Sequence, residues 1–255
     1  MSDLKTYPVP ASGFEDAYCN NDKYLELYKQ SIDDSDNFWA EQAESMLSWS
    51  KKWDMVQQCN FDNVDINWFT GGKLNVSYNC LDRHLQTRGD QVAIIWEGDD
   101  PALDKKITYR ELYEEVCKFA NALKNRNVKK GDCVSIYMPM IPEAAVAMLA
   151  CARIGAVHSI VFGGFSAEAL KDRILDSNCQ IVITADESIR GGRNIPLKVN
   201  ADDAVAHCPN VHTVFVVKHT GADIAWHDER DVWYEQAMFI ASAECAAQEM
   251  DAEDP

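Results

Sequence analysis

The residues best suited to bind a charged ligand lie in two short loops. Arg190 and Arg193 flank a Gly191-Gly192 pair, and each arginine offers a planar fork of N–H donors that matches phosphate oxygens. The 255-residue chain carries 24 basic and 41 acidic side chains, a net charge of −17, so this loop is its clearest concentration of positive charge. We predict a flexible basic clamp, with Lys198 a little further on; a solvated turn paired with nearby acids is an equal alternative.

The second loop, Phe162-Gly163-Gly164-Phe165-Ser166, joins an apolar run to the start of a helix. Open α/β sheets bind ligands in loops of this kind, at the carboxyl ends of parallel strands. Glycines let a ligand approach the backbone, a helix start favours an anion, and an aromatic ring can stack on a base. A tight turn with two core phenylalanines is the equal alternative.

Other motifs favour structure over chemistry. Thr70-Gly71-Gly72-Lys73 lacks the earlier glycine and the following Ser or Thr of a P-loop, so a plain turn is predicted. No G-x-G-x-x-G pattern is present, which disfavours a dinucleotide dehydrogenase. Four histidines lie late in the chain, at His207, His212, His219 and His227. Their spacing matches no usual zinc pattern, so no metal site is predicted. No catalytic triad can be chosen by spacing either.

Regular alternation of strands and helices from about residue 92 onward must position the two loops. Short apolar runs predict strands at 92–96, 133–138, 157–162, 181–185 and 214–217. Helical spacing and capping residues predict four helices. The first begins at the capping box Thr108–Glu111, and the second covers residues 141–154. The third begins at Ser166 and carries Leu170, Ile174 and Leu175, and the fourth covers about residues 196–206. Because the strands are apolar on both faces, we expect a parallel sheet buried on both sides. The predicted fold class is α/β, a parallel-rich sheet with helices on both faces.

The amino-terminal region has a different character. Aromatic side chains crowd into it with polar residues between them, namely Phe38, Trp39, Trp49, Trp53, Phe61, Trp68 and Phe69. Short helices are expected between about residues 24 and 48. We predict a Trp-rich helical cap over residues 1–83 and an α/β domain over 84–255. A non-catalytic binding module that uses the Trp-rich segment as its working surface is an alternative.

Composition narrows the class of protein further. The acidic net charge argues against a nucleic-acid partner, and no apolar run approaches the roughly 18 residues of a membrane span. The start, MSDLKTYPVP, lacks the apolar region of a secretory signal. Nine cysteines without a CxxC pair fit reduced thiols, so a cytoplasmic protein is expected. The acidic end, Glu249–Pro255, is either a solvated tail or the edge of a longer chain, and the second is favoured.

Several segments resemble, in order, those of the AMP-forming acetyl-CoA synthetases. The matching blocks are Trp68–Asn75, Asn79–His84, Tyr137–Glu143, Gly155–His158, Val161–Phe165 and Arg190–Arg193. The resemblance covers nearly the whole chain and implies the incomplete N-terminal domain of an adenylate-forming enzyme. Such enzymes convert acetate, ATP and coenzyme A into acetyl-CoA, AMP and pyrophosphate through acetyl-adenylate. A ligase for propionate or another short acid stays open.

The resemblance also implies roles for particular residues. In the family, the segment that matches Arg190, Gly191, Gly192 and Arg193 contacts the nucleotide end of coenzyme A. The segment that matches Phe162-Gly163-Gly164 lies against the same group. No catalytic residue is assigned, because the loop that grips the ATP phosphates, the Mg²⁺ ligands and the C-terminal domain with its catalytic lysine have no match here. These 255 residues are therefore expected to be inactive alone, to leave apolar surface uncovered and to depend on the remainder of their own chain.

Overall fold

The computed structural model describes Lys5, Tyr7, Pro8 and residues 17–255. Most of the amino-terminal stretch in which no secretory signal is predicted lies outside these residues. The chain forms two compact units: Met1–Leu47 with Met55–Trp68, and Ser48–Asp54 with Phe69–Pro255. The division into residues 1–83 and 84–255 stays a prediction.

The first unit contains the two short helices predicted for its sequence. They are α1 (Asn21–Asp33), which Asn20 caps by accepting the Lys23 N–H, and α2 (Ser35–Met46). A two-stranded sheet follows, formed by β1 (Met55–Asn60) and by β2 (Asp65–Thr70), whose last two residues belong to the second unit. No residue of α1 is buried, so this helix contributes little to a core.

The second unit contains the remaining described elements. Its helices are α3 (Val76–Cys80), a 3₁₀ helix (Asp82–His84), α4 (Leu85–Arg88), α5 (Tyr109–Asn125), α6 (Pro142–Ile154), α7 (Ala167–Asp176), α8 (Leu197–Val205) and α9 (Tyr234–Ile240). Its strands are β3 (Lys73–Leu74), β4 (Val92–Glu97), β5 (Asp104–Thr108), β6 (Cys133–Met138), β7 (Val157–Phe162), β8 (Ile181–Ala185), β9 (Ser188–Arg190), β10 (Arg193–Ile195), β11 (Thr213–Val217), β12 (Asp231–Trp233) and β13 (Met250–Asp251).

The predicted helix signals are confirmed at atomic detail. Thr108 accepts the backbone N–H of Glu111, and the Glu111 carboxylate accepts the N–H of Thr108, which completes the capping box of α5. Pro142 lies in the first turn of α6, and Gly155 ends that helix with a left-handed φ of 73°. Ser166 caps α7 by accepting the N–H of Ala169.

Five strands form the parallel sheet, in the order β12-β11-β8-β6-β7, which confirms the α/β class. The connection that follows β6 leads to β7, at one end of this strand order, whereas the connection that follows β8 leads to β11, toward the other end. Because crossover connections are right-handed, these opposite directions place helices on opposite faces of the sheet. Accordingly, α5 packs against α6 and α9, whereas α7 packs against α8. The sheet therefore has a topological switch point between its neighbours β6 and β8.

Two details of the sheet prediction are wrong. The strand at β4 forms, but it pairs antiparallel with β5 in a separate two-stranded sheet. Strand β7 lies at an edge of the parallel sheet, so its side chains are not all buried: Ile160 is 53% exposed and Phe162 is 51% exposed. On α7, Leu170 and Ile174 are buried as expected, but Leu175 is exposed because it lies off their helical face.

The acidic carboxyl-terminal residues are ordered, so the solvated-tail interpretation is wrong. Strand β13 pairs antiparallel with β3. Asp251 forms an ion pair with Lys73, and Asp254 forms one with Lys130. Lys73 therefore lies in β3 and pairs with the Asp251 carboxylate. This agrees with the prediction that Thr70–Lys73 is a plain turn and not a P-loop.

A buried arginine near the end of α6 joins distant parts of the second unit. Arg153 is 1% exposed, and its guanidinium donates two hydrogen bonds to the Asp82 carboxylate, each of 2.8 Å. Its Nε donates to the Cys245 carbonyl at 2.6 Å, and its Cζ lies 4.9 Å from the centre of the Tyr113 ring. Bidentate geometry with further hydrogen bonds is the arrangement that compensates a charge for burial.

We predict that Arg153→Met lowers the free energy of unfolding by about 3–5 kcal/mol, because the buried acceptors on Asp82 and Cys245 lose their donors. Urea denaturation followed by circular dichroism measures the change. Arg88→Ala, at an exposed position at the end of α4, should alter stability by no more than about 0.5 kcal/mol. A loss below about 1 kcal/mol for Arg153→Met would contradict the assigned role of this arginine.

Candidate functional site

A cleft of about 790 Å³ opens at the carboxyl edge of the parallel sheet in the second unit. Its lining includes the stretch 138–141, which ends β6 and follows it, and residues of the β9–β10 hairpin that follows β8. The cleft therefore lies at the topological switch point, where connections leave neighbouring strands in opposite directions. Open α/β sheets bind ligands at that place because the diverging loops leave a crevice.

The predicted basic clamp is the tip of this hairpin. Arg190 pairs with Arg193 across a two-residue turn in which Gly191 and Gly192 have φ values of 56° and 72°. Two positive φ angles define a type I′ turn, which glycine adopts without strain. Both arginines are exposed, and within the described residues neither makes an ion pair with a carboxylate. Arg190, Gly191 and Gly192 line the cleft, whereas Arg193 lies outside its lining.

The second predicted loop meets the first one in the cleft. Phe162, Gly163 and Gly164 all line it, and the Arg190 guanidinium lies 5.2 Å from the centre of the Phe162 ring. A Cβ atom on Gly164 would lie 2.6 Å from that ring and 3.3 Å from an Arg190 nitrogen. Glycine is therefore required at position 164 for the stacked pair to lie flat against the loop. The alternative of two core phenylalanines is wrong, because Phe162 and Phe165 are exposed.

Hydrogen bonds from buried groups hold this loop in place. The Tyr137 hydroxyl, on the buried strand β6, donates to the carbonyl of Phe165 at 2.7 Å. The Asn200 side chain on α8 donates to the same hydroxyl at 3.1 Å. Burial raises the pKa of Tyr137, so the hydroxyl keeps its proton and stays a donor at neutral pH. The phenylalanine loop is thus fixed from the core.

A buried carboxylate holds the loops on the other side of the cleft. Asp186, 1% exposed at the end of β8, accepts backbone N–H groups from Glu187, His219, Thr220 and Gly221. Burial opposes its ionisation, but these hydrogen bonds outweigh that effect and keep the pKa of Asp186 below its usual value. His219, held in this way, lines the cleft.

Lys198 does not belong to the basic clamp. Its side chain is 0% exposed, and its ammonium lies 2.8 Å from both Asp202 and Asp231. Arg230 completes the network by pairing with the same two carboxylates. The expectation from sequence fails because α8 turns this side chain inward, where two carboxylates neutralise it.

Sequence reasoning missed several residues that line the cleft. Trp96 belongs to the β4–β5 hairpin, and its indole N–H donates to the Met140 carbonyl at 2.8 Å. The same hairpin brings acidic side chains to the wall, namely Glu97, Asp99 and Asp100. Nothing in the local sequence marks these residues, since they reach the site from a separate sheet.

The aromatic residues of the amino-terminal region divide between the two units. In the second unit, the half-buried rings of Trp49, Trp53 and Phe69 pack on one another at centroid distances of 4.9–5.4 Å. In the first unit, Trp39 packs edge-on against Trp68 and is 42% exposed. Packing of this kind favours a structural role over an exposed working surface.

Two properties of the described part of the chain limit its chemistry. Within it, no group of three or more His, Cys, Asp or Glu side chains is arranged to hold a metal ion. Among its helices, none is long and apolar enough to cross a membrane.

The fold defines an open parallel α/β protein with a cleft at its switch point, lined by Arg190, Phe162 and acidic side chains. Residues 81–255 match the model of the AMP-binding enzyme family, and residues 24–80 match that of the acetyl-coenzyme A synthetase N-terminus. The chain therefore belongs to the AMP-binding enzyme family.

Individual relatives and a solved structure are similar over the whole chain. It is 62% identical to an acetyl-coenzyme A synthetase of Alkalilimnicola ehrlichii and 63% identical to one of Magnetococcus marinus, each over 255 residues. It covers 40% of the length of each of these relatives. The structure of an acetoacetyl-CoA synthetase from Streptomyces lividans superposes with a TM-score of 0.83 at 26% identity, over 96% of this chain and 36% of that one.

We predict that Asp186→Asn lowers the free energy of unfolding at pH 7 by about 1–3 kcal/mol, because an amide offers fewer acceptors to the four N–H groups. The stabilisation exists above the unfolded pKa of about 3.9 and is lost as pH falls through the lower pKa of the folded state. The stability gap between wild type and variant should therefore narrow below about pH 4. Urea denaturation at several pH values measures it; a gap that is constant down to pH 2 would contradict the assignment.

Proposed function

We propose that the protein to which this chain belongs is an AMP-forming acetate–CoA ligase. It joins acetate to ATP as acetyl-adenylate with release of pyrophosphate, and the coenzyme A thiol then displaces AMP to give acetyl-CoA. Membership of the AMP-binding family and the acetyl-coenzyme A synthetase relatives support this activity. Because the chain spans about 40% of the length of those relatives, the reaction belongs to the longer protein.

The role of this chain is to dock the nucleotide end of coenzyme A. The observation that carries the proposal is the Arg190 guanidinium, which lies over Phe162 on the wall of the cleft and forms no ion pair with any carboxylate in the described part of the chain. Coenzyme A ends in a 3′-phosphate and a pyrophosphate, which suit charge-assisted hydrogen bonds from arginine. Arg193, across the glycine turn, would meet a phosphate at the outer rim of the cleft.

The phenylalanine loop supplies the second part of the dock. Gly163 and Gly164 line the cleft beside Phe162, and the Phe162 ring offers an aromatic surface for the adenine. The acidic side chains that also line the cleft, Glu97, Asp99 and Asp100, repel phosphate and so favour placing the charged end of the ligand at Arg190.

ATP and acetate bind the longer protein as its other substrates. ATP is consumed as a magnesium complex, and the described residues offer no cluster suited to that metal, so no step is assigned to it on this chain.

We place the activity in the cytoplasm, since all nine cysteines are free thiols. The partners are small molecules and the remainder of the chain, with neither nucleic acid nor membrane. The acyl group could equally be propionate or another short acid, because no cleft residue here selects its size.

We predict that Arg190→Ala weakens coenzyme A binding to the longer protein that contains this chain roughly 10- to 100-fold, the cost of losing a charged hydrogen bond. Isothermal titration calorimetry measures the affinity. Arg193→Ala should have a smaller effect because Arg193 lies outside the cleft lining. Arg88→Ala, which removes the same charge from an exposed position outside the cleft, should leave the affinity unchanged. Equal affinity for coenzyme A in wild type and Arg190→Ala would refute the dock.

We predict that Gly164→Ala also reduces coenzyme A affinity, since the added methyl group displaces the Phe162 ring from beneath Arg190. The same titration measures this effect. Stability should change by no more than about 0.5 kcal/mol, because the ring is exposed and free to rotate away. A variant that binds coenzyme A as tightly as wild type would show that the stacked pair is not needed.

A further inference from the structure

Two cysteine side chains are in contact at the edge of the parallel sheet opposite the cleft. The Sγ atoms of Cys133 and Cys179 lie 3.3 Å apart, with the Cys179 thiol donating toward Cys133. The Ser177 hydroxyl lies 3.1 Å from the Cys179 sulfur. In sequence the two cysteines are 46 positions apart, so only the fold brings them together.

Rigid backbone holds both thiols in this position. Cys133 is the first residue of β6, an interior strand paired with β7 and β8. Cys179 follows α7 in a Schellman motif: its N–H donates to the Ile174 carbonyl at 3.0 Å, and Asn178 adopts a left-handed φ of 50°. Neither sulfur depends on a mobile loop for its place, so the pair is preorganised for a bond between the two atoms.

The two thiols differ in their access to solvent. Cys179 is 1% exposed, and burial raises its pKa. Cys133 is partly buried, so of the two cysteines it is the one that a small reagent in solution reaches more readily. Cys133 is therefore the thiol that reacts first, and Cys179 is the one placed to react with the product.

We propose that Cys133 and Cys179 form an oxidation site at which a small peroxide generates an intramolecular disulfide. The Cys133 thiolate attacks one peroxide oxygen, the O–O bond breaks, and protonation of the leaving oxygen gives a sulfenic acid and water. The Cys179 sulfur then attacks the Cys133 sulfur, the S–O bond breaks, and a second water leaves with the Cys179 proton. Two thiols are oxidised and one hydrogen peroxide is reduced to two waters.

Closure of the disulfide needs only a small movement. The sulfurs must approach by about 1.2 Å to reach the S–S bond length. The pair lies at the amino ends of β6 and β8, roughly 17 Å along the strand from the cleft at their carboxyl ends. It is thus a site separate from the coenzyme A dock and does not rest on the function proposed for the cleft.

Peptide mapping after oxidation tests the proposal. The longer protein that contains this chain is treated with stoichiometric hydrogen peroxide, alkylated without reductant and digested, and the cysteine peptides of residues 1–255 are analysed by mass spectrometry. We expect one cross-linked peptide pair that joins Cys133 to Cys179, and an intact mass lower by two hydrogen atoms. The Cys133→Ser variant should keep Cys179 reduced. In Cys179→Ser, oxidation should stop at a Cys133 sulfenic acid that a cyclic 1,3-dione captures.

Cys59→Ser is the matched control, since Cys59 is partly buried like Cys133 and lies in the first unit. It should form the Cys133–Cys179 cross-link at the wild-type rate. The proposal is overturned if exposed Cys19 becomes oxidised while Cys133 and Cys179 remain thiols, or if Cys133 pairs with any other cysteine. The wild-type map decides the matter even if a serine variant fails to fold.

Discussion

The Asp186 carboxylate is the buried group that anchors the segments on the β8 and β11 side of the cleft. Its oxygens accept N–H groups of the segment 219–221 after β11, while its backbone carbonyl accepts the N–H of Lys198 at the start of α8. One residue just after β8 therefore fixes both the start of α8 and the segment that follows β11. A buried anion is stable here because backbone dipoles, which need no counter-ion, surround it.

Positive charge in this acidic protein is used in two opposite ways. Lys198 and Arg153 are buried and neutralised by carboxylates, and they join helices and strands of the core. Arg190 is exposed and lies over an aromatic ring, and among the described residues no carboxylate forms an ion pair with it. What separates a neutralised cation from one that is proposed to bind a ligand is thus the distance to the nearest carboxylate, and the fold sets that distance.

Much of the architecture was predictable from local patterns. The capping box at Thr108–Glu111, the proline and glycine that bound α6, and the apolar run of β6 each act through neighbouring residues, so their signals are complete within a few positions. The glycine pair at 191–192 likewise determines a tight turn. Predictions failed where contacts between distant segments determine the structure. Strand β4 joins a separate sheet, β7 becomes an edge strand, and the acidic end pairs with β3.

The sequence by itself determined the α/β class, the turn that presents Arg190, and the family, because those properties reside in spacing and residue type. Only the tertiary structure decided which cations stay free, that Trp96 reaches the cleft from another sheet, and that the sulfurs of Cys133 and Cys179 touch. The physical reason is that strand order places side chains far apart in sequence within contact distance. Charge neutralisation, burial and bond formation all depend on that distance, and no local pattern encodes it.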